Sequence, residues 1–390
     1  MLNTPFPPWP SYTSEEADAV SRVLLSNKVN YWTGKECRKF ELEFAAWVGC
    51  RHAIALANGT VALELALEAL EIGPGDEVIV PSYTFIATAS AVVMRGAVPV
   101  MADVDADSMS LTAETIAAGV TSRTRGVIAV HLVGYPCDMD PIMELAAKYD
   151  LKVIEDCAQA HGARYKGRSV GTIGHIGAWS FCQDKIMTMG EGGMVTTNDA
   201  ALWSRMWSFK DHGKSWEAVY KREHQQGFRW LHDSFGTNWR MMELQGVVGR
   251  IQLRQMAAWT AKRQANAEAI WSAARSIPGL RVPVLPSWAE HAAYKCYLFV
   301  EPAALKEGWN RDRIIDAITA RGVPCYSGVC PEIYLEHAFD NTGWCPAERL
   351  PIARKLGETA LMFLVHPTIE PEHINQTCQA LYHVMQEATS

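Results

Sequence analysis

The sequence lacks most of the signals that would place it outside the ordinary globular enzymes. It holds no run of about 18 apolar residues, so it offers no candidate membrane span. Basic residues do not cluster. The 36 Lys and Arg against 43 Asp and Glu leave a net charge of -7, and no basic stripe offers a nucleic-acid surface. Ten cysteines are present but no Cys-x-x-Cys pair, and the expectation is reduced thiols in a cytoplasmic protein. None of the 12 histidines stands beside another at metal-ligand spacing, so no metal site is expected. The opening Met1-Leu2-Asn3-Thr4-Pro5 has neither the basic nor the apolar region of a secretory signal. Internal repeats and low-complexity tracts are also missing.

The chain does have 390 residues, 48% hydrophobic and 20% charged, enough for one large domain and a smaller one. The stretch Pro5 to Pro10 holds four prolines and cannot be helical, since each lacks an N–H donor; it reads as an extended arm. Thr13 and Glu16 have the spacing of a capping box before a helix with Ala17, Val20 and Leu24 on one face. From residue 53 onward short apolar runs alternate with helical stretches. The strand-like runs are 53–57, 77–81, 98–104, 126–133, 152–155, 178–181 and 194–197; helices are expected at 60–70 and 141–149. That alternation predicts an α/β fold with a largely parallel sheet covered on both faces. Ligands of such sheets gather beyond the carboxyl ends of the strands. Residues 243–273 read as one or two helices. The prolines from Pro278 to Pro286 come next, and a strand at 297–300 with helices at 311–321 and 373–387 suggests a small α+β domain.

Several residues at the expected strand ends match the needs of pyridoxal 5'-phosphate (PLP) chemistry. That chemistry requires an amine to link to the cofactor, a carboxylate against the ring nitrogen, N–H and hydroxyl groups for the phosphate, and a flat side chain over the ring. Lys185 lies between a strand and the Gly-rich turn Gly190-Glu-Gly-Gly193; the plainer reading is a surface lysine. Asp156 ends an apolar run, where it points into the site or caps the adjoining helix. Gln159 is within reach of the ring hydroxyl, whereas His161 reads better as a packed neighbour of the strand end. Asn58, Gly59 and Thr60 open a helix, whose N-terminus can bind phosphate or simply be capped, and Ser180 offers a second hydroxyl. Phe85 and Tyr83 lie just beyond the next strand, where one can stack on the ring or both can fill the core. Their order along the chain, each at a strand end, argues for one site.

With these motifs the chain resembles the nucleotide-sugar aminotransferases of the DegT/StrS group. The matching stretches are Asn58-Gly-Thr60, Gly75-Asp-Glu-Val-Ile-Val-Pro-Ser82, His131-Leu-Val-Gly134, Ile154-Glu-Asp-Cys-Ala-Gln-Ala-His161, Lys166-Gly167, Gly190-Glu-Gly-Gly193 and Thr237-Asn-Trp-Arg-Met241. The resemblance implies the aspartate-aminotransferase (fold type I) architecture. It would have a mostly parallel seven-stranded sheet between helices in a large domain, residues 1–255, and a small α+β domain, residues 256–390. It implies Lys185 as the Schiff-base lysine and proton carrier, Asp156 on the ring nitrogen and Gln159 at the ring hydroxyl. Asn58, Gly59, Thr60 and Ser180 would stand at the phosphate, and Phe85 over the ring ahead of Tyr83. Asn238 would reach the phosphate of a neighbouring subunit, making a homodimer with shared active sites.

The implied reaction moves an amine from L-glutamate, through PLP and pyridoxamine phosphate, to C4 of an NDP-4-keto-6-deoxyhexose. Amination at C3 and a non-catalytic PLP-binding regulator are the alternatives. A dehydrating branch with histidine in place of the lysine is disfavoured by Asp184-Lys185. The chain departs from the group's commonest pattern at Cys325-Tyr-Ser-Gly-Val-Cys330 and at Lys210-Asp-His-Gly-Lys-Ser-Trp216, loops that would line the sugar site.

Overall fold

The structure is a computed structural model that describes residues 6–389; of the N-terminal arm, Pro5 lies outside the described residues. The strands in chain order are β1 (His52–Leu56), β2 (Glu77–Pro81), β3 (Val98–Ala102), β4 (Thr124–Val130), β5 (Lys152–Asp156), the two-residue β6 (Arg164–Tyr165) and β7 (Arg168–Ser169), β8 (Ile176–Ser180) and β9 (Gly193–Thr197). Later in the chain come β10 (Leu280–Arg281), β11 (Ala289–Glu290), β12 (Cys296–Val300), β13 (Cys325–Tyr326) and β14 (Ala360–Phe363). Seven of these strands form one sheet in the order β1-β9-β8-β5-β4-β2-β3. Only β9 runs against the rest, pairing antiparallel with both β8 and β1. Every residue of β2, β8 and β9 is buried. That burial explains why these strands read as continuous apolar runs and not as alternating ones: helices cover both faces.

The helix Gly59–Ala69 lies on one face, burying Ala62, Leu63, Leu65, Ala66 and Leu67. Glu36–Val48 packs Phe40 and Phe44 on the other, against Trp179 and Phe181 of the strand that leads to the site. This helix was not singled out in the sequence, because its apolar positions are interrupted by Glu41 and Glu43. At the N-terminus Glu16 accepts the Thr13 backbone N–H at 2.7 Å, so the expected capping pair holds the start of the helix Ser14–Leu25.

A second, antiparallel sheet, β10-β12-β14-β13, carries the C-terminal part. The stretch 243–273 resolves into two helices, Glu243–Leu253 and Met256–Ala274. The second buries Ala267, Ile270 and Trp271 in one apolar cluster with Leu298, Phe363 and Leu381. That packing supports the proposed division at residues 255/256. The sheets nevertheless share a seam, since Tyr297 and Phe299 of β12 belong to the core under the large sheet.

Candidate active site

The carboxyl ends of β1, β2, β4, β5 and β8 surround a cavity of about 760 Å³. Asn58, Gly59, Thr60, Phe85, Asp156, Gln159, Ser180 and Lys185 stand in its wall, whereas Tyr83, His161 and Asn238 do not. Beyond β1, the Asn58 side chain accepts the N–H of Val61 at 3.0 Å and starts the helix Gly59–Ala69. This leaves the N–H groups of Gly59 and Thr60 without helical partners. A Cβ on Gly59 would lie 2.5 Å from the Ser180 Cβ, so only glycine lets the helix come this close to the end of β8. Two free N–H groups, the Thr60 and Ser180 hydroxyls and the positive end of a helix whose first turn has no acidic residue therefore converge. That is a cradle for a phosphate. Replacing Gly59 with alanine is expected to force the helix and Ser180 apart, an overpacking of about 1–3 kcal/mol, and to weaken cofactor binding ~10-fold or more. Titration of the cofactor-free protein with PLP measures this, and an unchanged affinity contradicts the cradle.

At the end of β5, Asp156 is buried. One carboxylate oxygen accepts the Ala158 N–H at 3.1 Å and the other the Thr88 hydroxyl at 3.1 Å, itself 3.0 Å from the Thr84 hydroxyl. Burial raises the pKa of Asp156; these donors and the charge of Lys185 pull it back only in part. A buried carboxylate of this kind, facing the same cavity as a phosphate cradle, matches a protonated ring nitrogen. By both tests the residues fit PLP.

Gln159 is held by Val133, whose N–H donates to the Gln159 Oε1 at 2.9 Å. Val133 has φ 52°, a left-handed conformation that a β-branched residue adopts only under constraint. The constraint comes from β12's approach: Tyr294 donates its N–H to the Val133 carbonyl at 3.0 Å, and Ala292 to that of Gly134 at 2.8 Å. Lys185 lies beyond β8. Its carbonyl accepts the Trp9 indole N–H at 2.8 Å, which ties the N-terminal arm to the site, and its amine stands 5.3 Å from the centre of the Tyr294 ring. The Tyr294 hydroxyl hydrogen-bonds Asp184. Burial pushes Asp184 up, but Lys185, that hydroxyl and Lys295 outweigh it and hold the carboxyl below its ordinary value.

Phe85 lines the cavity and is 61% exposed, whereas Tyr83 is fully buried in the core. Of the two, only Phe85 faces the cavity. His161 is packed between Trp179 and Phe181 at ring distances of 5.2 and 5.4 Å. Burial pushes its pKa down to about 3, so it is neutral filling, as its sequence context suggested. Asn238 is exposed and outside the cavity of its own chain, paired through its backbone to Asp211.

Sequence spacing suggested no metal set, yet the fold brings ligand atoms of His131, Glu155 and Cys157 within 4.8 Å of one another. Their bonding is structural. Glu155 accepts the N–H groups of Gly171, Ile173 and Gly174, each at 2.7 Å, and pairs with the His131 Nε2 at 3.0 Å. The His131 Nδ1 accepts the Cys137 N–H at 3.0 Å. This network fastens the strand next to Asp156 from the face opposite the cavity.

Tyr294, Lys295, Val133 and Thr88 also line the cavity, and none of them was singled out in the sequence. Thr88 and Val133 carry no local signal. The signal for Lys295 is slight, a lone charge directly before the apolar run of β12.

The sheet, the phosphate cradle, Asp156 and Lys185 together define a PLP-dependent aminotransferase of fold type I. Comparison with known proteins agrees. The model of the DegT/DnrJ/EryC1/StrS aminotransferase family matches residues 10–382, and the chain belongs to that family. A solved aminotransferase from Psychrobacter cryohalolentis is 61% identical and superposes with a TM-score of 0.96, covering 98% of this chain and 99% of that one. The UDP-N-acetyl-3-dehydro-alpha-D-glucosamine 3-aminotransferase of Acidithiobacillus ferrooxidans is 38% identical over 91% of this chain and 89% of its own length. The dTDP-3-amino-3,4,6-trideoxy-alpha-D-glucose transaminase of Streptomyces venezuelae is 35% identical over 92% of this chain and 88% of its own. Among the described residues no helix is long and apolar enough to cross a membrane.

Proposed function

We propose that the enzyme transfers the amine of L-glutamate to the keto carbon of a nucleotide-linked sugar, in the cytoplasm, for glycan, lipopolysaccharide or natural-product synthesis. The observation that carries this is the single cavity in which Lys185, Asp156 and the Gly59–Ser180 cradle meet. The bound cofactor supplies an aldehyde carbon for amine exchange and a ring that accepts an electron pair. With the cofactor bound, the Lys185 Nζ would take the proton from the donor's Cα, hold it, and serve the sugar carbon in the reverse sense. Asp156 would keep the ring nitrogen protonated, Gln159 would orient the ring hydroxyl, and Gly59, Thr60 and Ser180 would hold the phosphate. Phe85 would cover the ring.

The carbon we assign is C4 of an NDP-4-keto-6-deoxyhexose. A second reading, C3, is favoured by the names of the two relatives above. A regulator without turnover would have no use for a proton-carrying lysine at the mouth of this cradle. We further propose a homodimer in which Asn238 completes the phosphate cradle of the other subunit. Asn238 is exposed and does not line its own cavity, and Phe235 and Met242 in the same segment are 98% and 51% exposed, an apolar surface suited to burial. The test is a panel of NDP-4-keto and NDP-3-keto hexoses with L-glutamate, scored by 2-oxoglutarate release and by the position of the new amine, with light scattering on the same sample. Amine at C4 and twice the chain mass are expected. Amine at C3 moves the assignment to the second reading, no product from any keto-sugar removes it, and a single-chain mass removes the shared site.

A further inference from the structure

The mechanism leaves one cation of the cavity wall unused. Lys295 lies in the cavity wall directly before β12, and its amine stands 4.8 Å from the centre of the same Tyr294 ring that Lys185 approaches at 5.3 Å. The two amines are therefore separated by no more than about twice the distance from either to that ring. Charge at this end of the cavity is unbalanced. Lys185, Lys295 and the buried Arg263 stand around Asp184, and one Asp184 oxygen is already engaged by the Tyr294 hydroxyl. Arg263 spends one nitrogen on the Tyr294 carbonyl at 3.3 Å, is buried with its guanidinium 4.9 Å from the centre of the Trp9 ring, and does not line the cavity. Asp156 and Glu191 also line the cavity. Asp156 is fastened by Ala158 and Thr88 at the end of β5, and the Glu191 carboxylate faces the Cys182 thiol at 3.6 Å.

We infer that Lys295 binds a carboxylate of the amino donor. The identity of that donor and the exclusion of the sugar nucleotide's diphosphate rest on the function proposed above. An α-amino acid reacting at Lys185 carries a carboxylate one bond from the reacting carbon, and a five-carbon donor carries a second a few bonds further on. Both must lie near Lys185, and among the described residues Lys295 is the other cation in the cavity wall. The diphosphate of a sugar nucleotide is a poorer match. It hangs from C1, across the ring from the carbon that has to reach Lys185. Burial, together with the charges of Arg263 and Lys185, pulls the Lys295 amine down to about 8 against the pull of Asp184. An anion arriving beside it would therefore stabilise its charged form.

The experiment compares the holoenzyme with Lys295→Met and Lys295→Arg. Glutarate, a dicarboxylate with no amine, is titrated calorimetrically; the half-reaction with L-glutamate is monitored by cofactor absorbance; and KM for the keto-sugar is measured separately. Lys295→Met should weaken glutarate binding and raise the donor KM roughly 30-fold, as loss of one member of a buried charge pair does. The keto-sugar KM should stay within about twofold, and Lys295→Arg should recover most of the loss. Glutarate binding equal to wild type in Lys295→Met, or a change confined to the keto-sugar KM, overturns the inference. If the wild type takes no amine from L-glutamate, the proposed donor is wrong, and the glutarate titration, which needs no turnover, still decides the role of Lys295.

Discussion

Lys185→Ala is expected to lose turnover by ~10⁴-fold or more while the protein melts at the wild-type temperature. The effect lies at the upper end of what a positioned acid–base group contributes, because the same nitrogen both links to the cofactor and moves the proton. Stability is expected to hold because the side chain is only half-buried and its amine faces the cavity and the Tyr294 ring. Its backbone carbonyl, which accepts the Trp9 indole N–H, is untouched by the substitution. Steady-state assays with calorimetric melting test this. Wild-type rates in the alanine variant would remove Lys185 from the chemistry, and a collapsed melting transition would mean that the lysine also holds the turn between β8 and β9.

The second large effect is expected at Asp156. Asp156→Asn keeps the shape but removes the charge that holds a proton on the ring nitrogen, and kcat should fall by ~10²–10³-fold, the equivalent of a pKa change of about 2–3 units in that pairing. The same change is expected to stabilise the cofactor-free protein at pH 7. Burial raises the Asp156 pKa, so the folded chain gives up this proton less readily than the unfolded chain. As pH rises from the ordinary carboxylate range, the unfolded state ionises first and stability is lost until the raised value is passed, so a cost is already present at pH 7. Asparagine carries none of it. The Asn oxygen can still accept the Ala158 N–H, and its amide can donate to Thr88 once the Thr88 hydroxyl turns to Thr84, 3.0 Å away. Activity retained within tenfold, or a lower melting temperature for the cofactor-free variant at pH 7, would contradict this account.

The groups proposed for the reaction were legible in the sequence because each closes a strand or opens a helix. Asp156, Ser180 and the Asn58–Thr60 turn stand where an apolar run stops and a polar residue begins. In a parallel sheet that break in pattern is also the ligand edge. The alternation of runs likewise established the α/β class and most of the central strands, with ends shifted by a few residues, as at 98–104, where β3 stops at Ala102. The family resemblance put Phe85 ahead of Tyr83, but the physical reason for that order came only with the fold. The two residues are neighbours in the chain with similar side chains, and only packing shows that one is enclosed in the core and the other left at the cavity.

Periodicities and residue types local to the chain were enough to give the sheet, the order in which the site's residues leave it and the chemistry those residues can perform. Contacts across long separations came only with folding. Trp9 on the carbonyl of Lys185, Tyr294 bracing Val133 and so Gln159, and Lys295 set beside Lys185 all join segments far apart in the chain. No local pattern marks them, because each residue's role depends on which distant surface folding brings against it. The Glu155–His131 network is the clearest case: a charged residue inside an apolar strand looks like a flaw in the pattern until three backbone N–H groups from the 171–174 turn arrive to satisfy it.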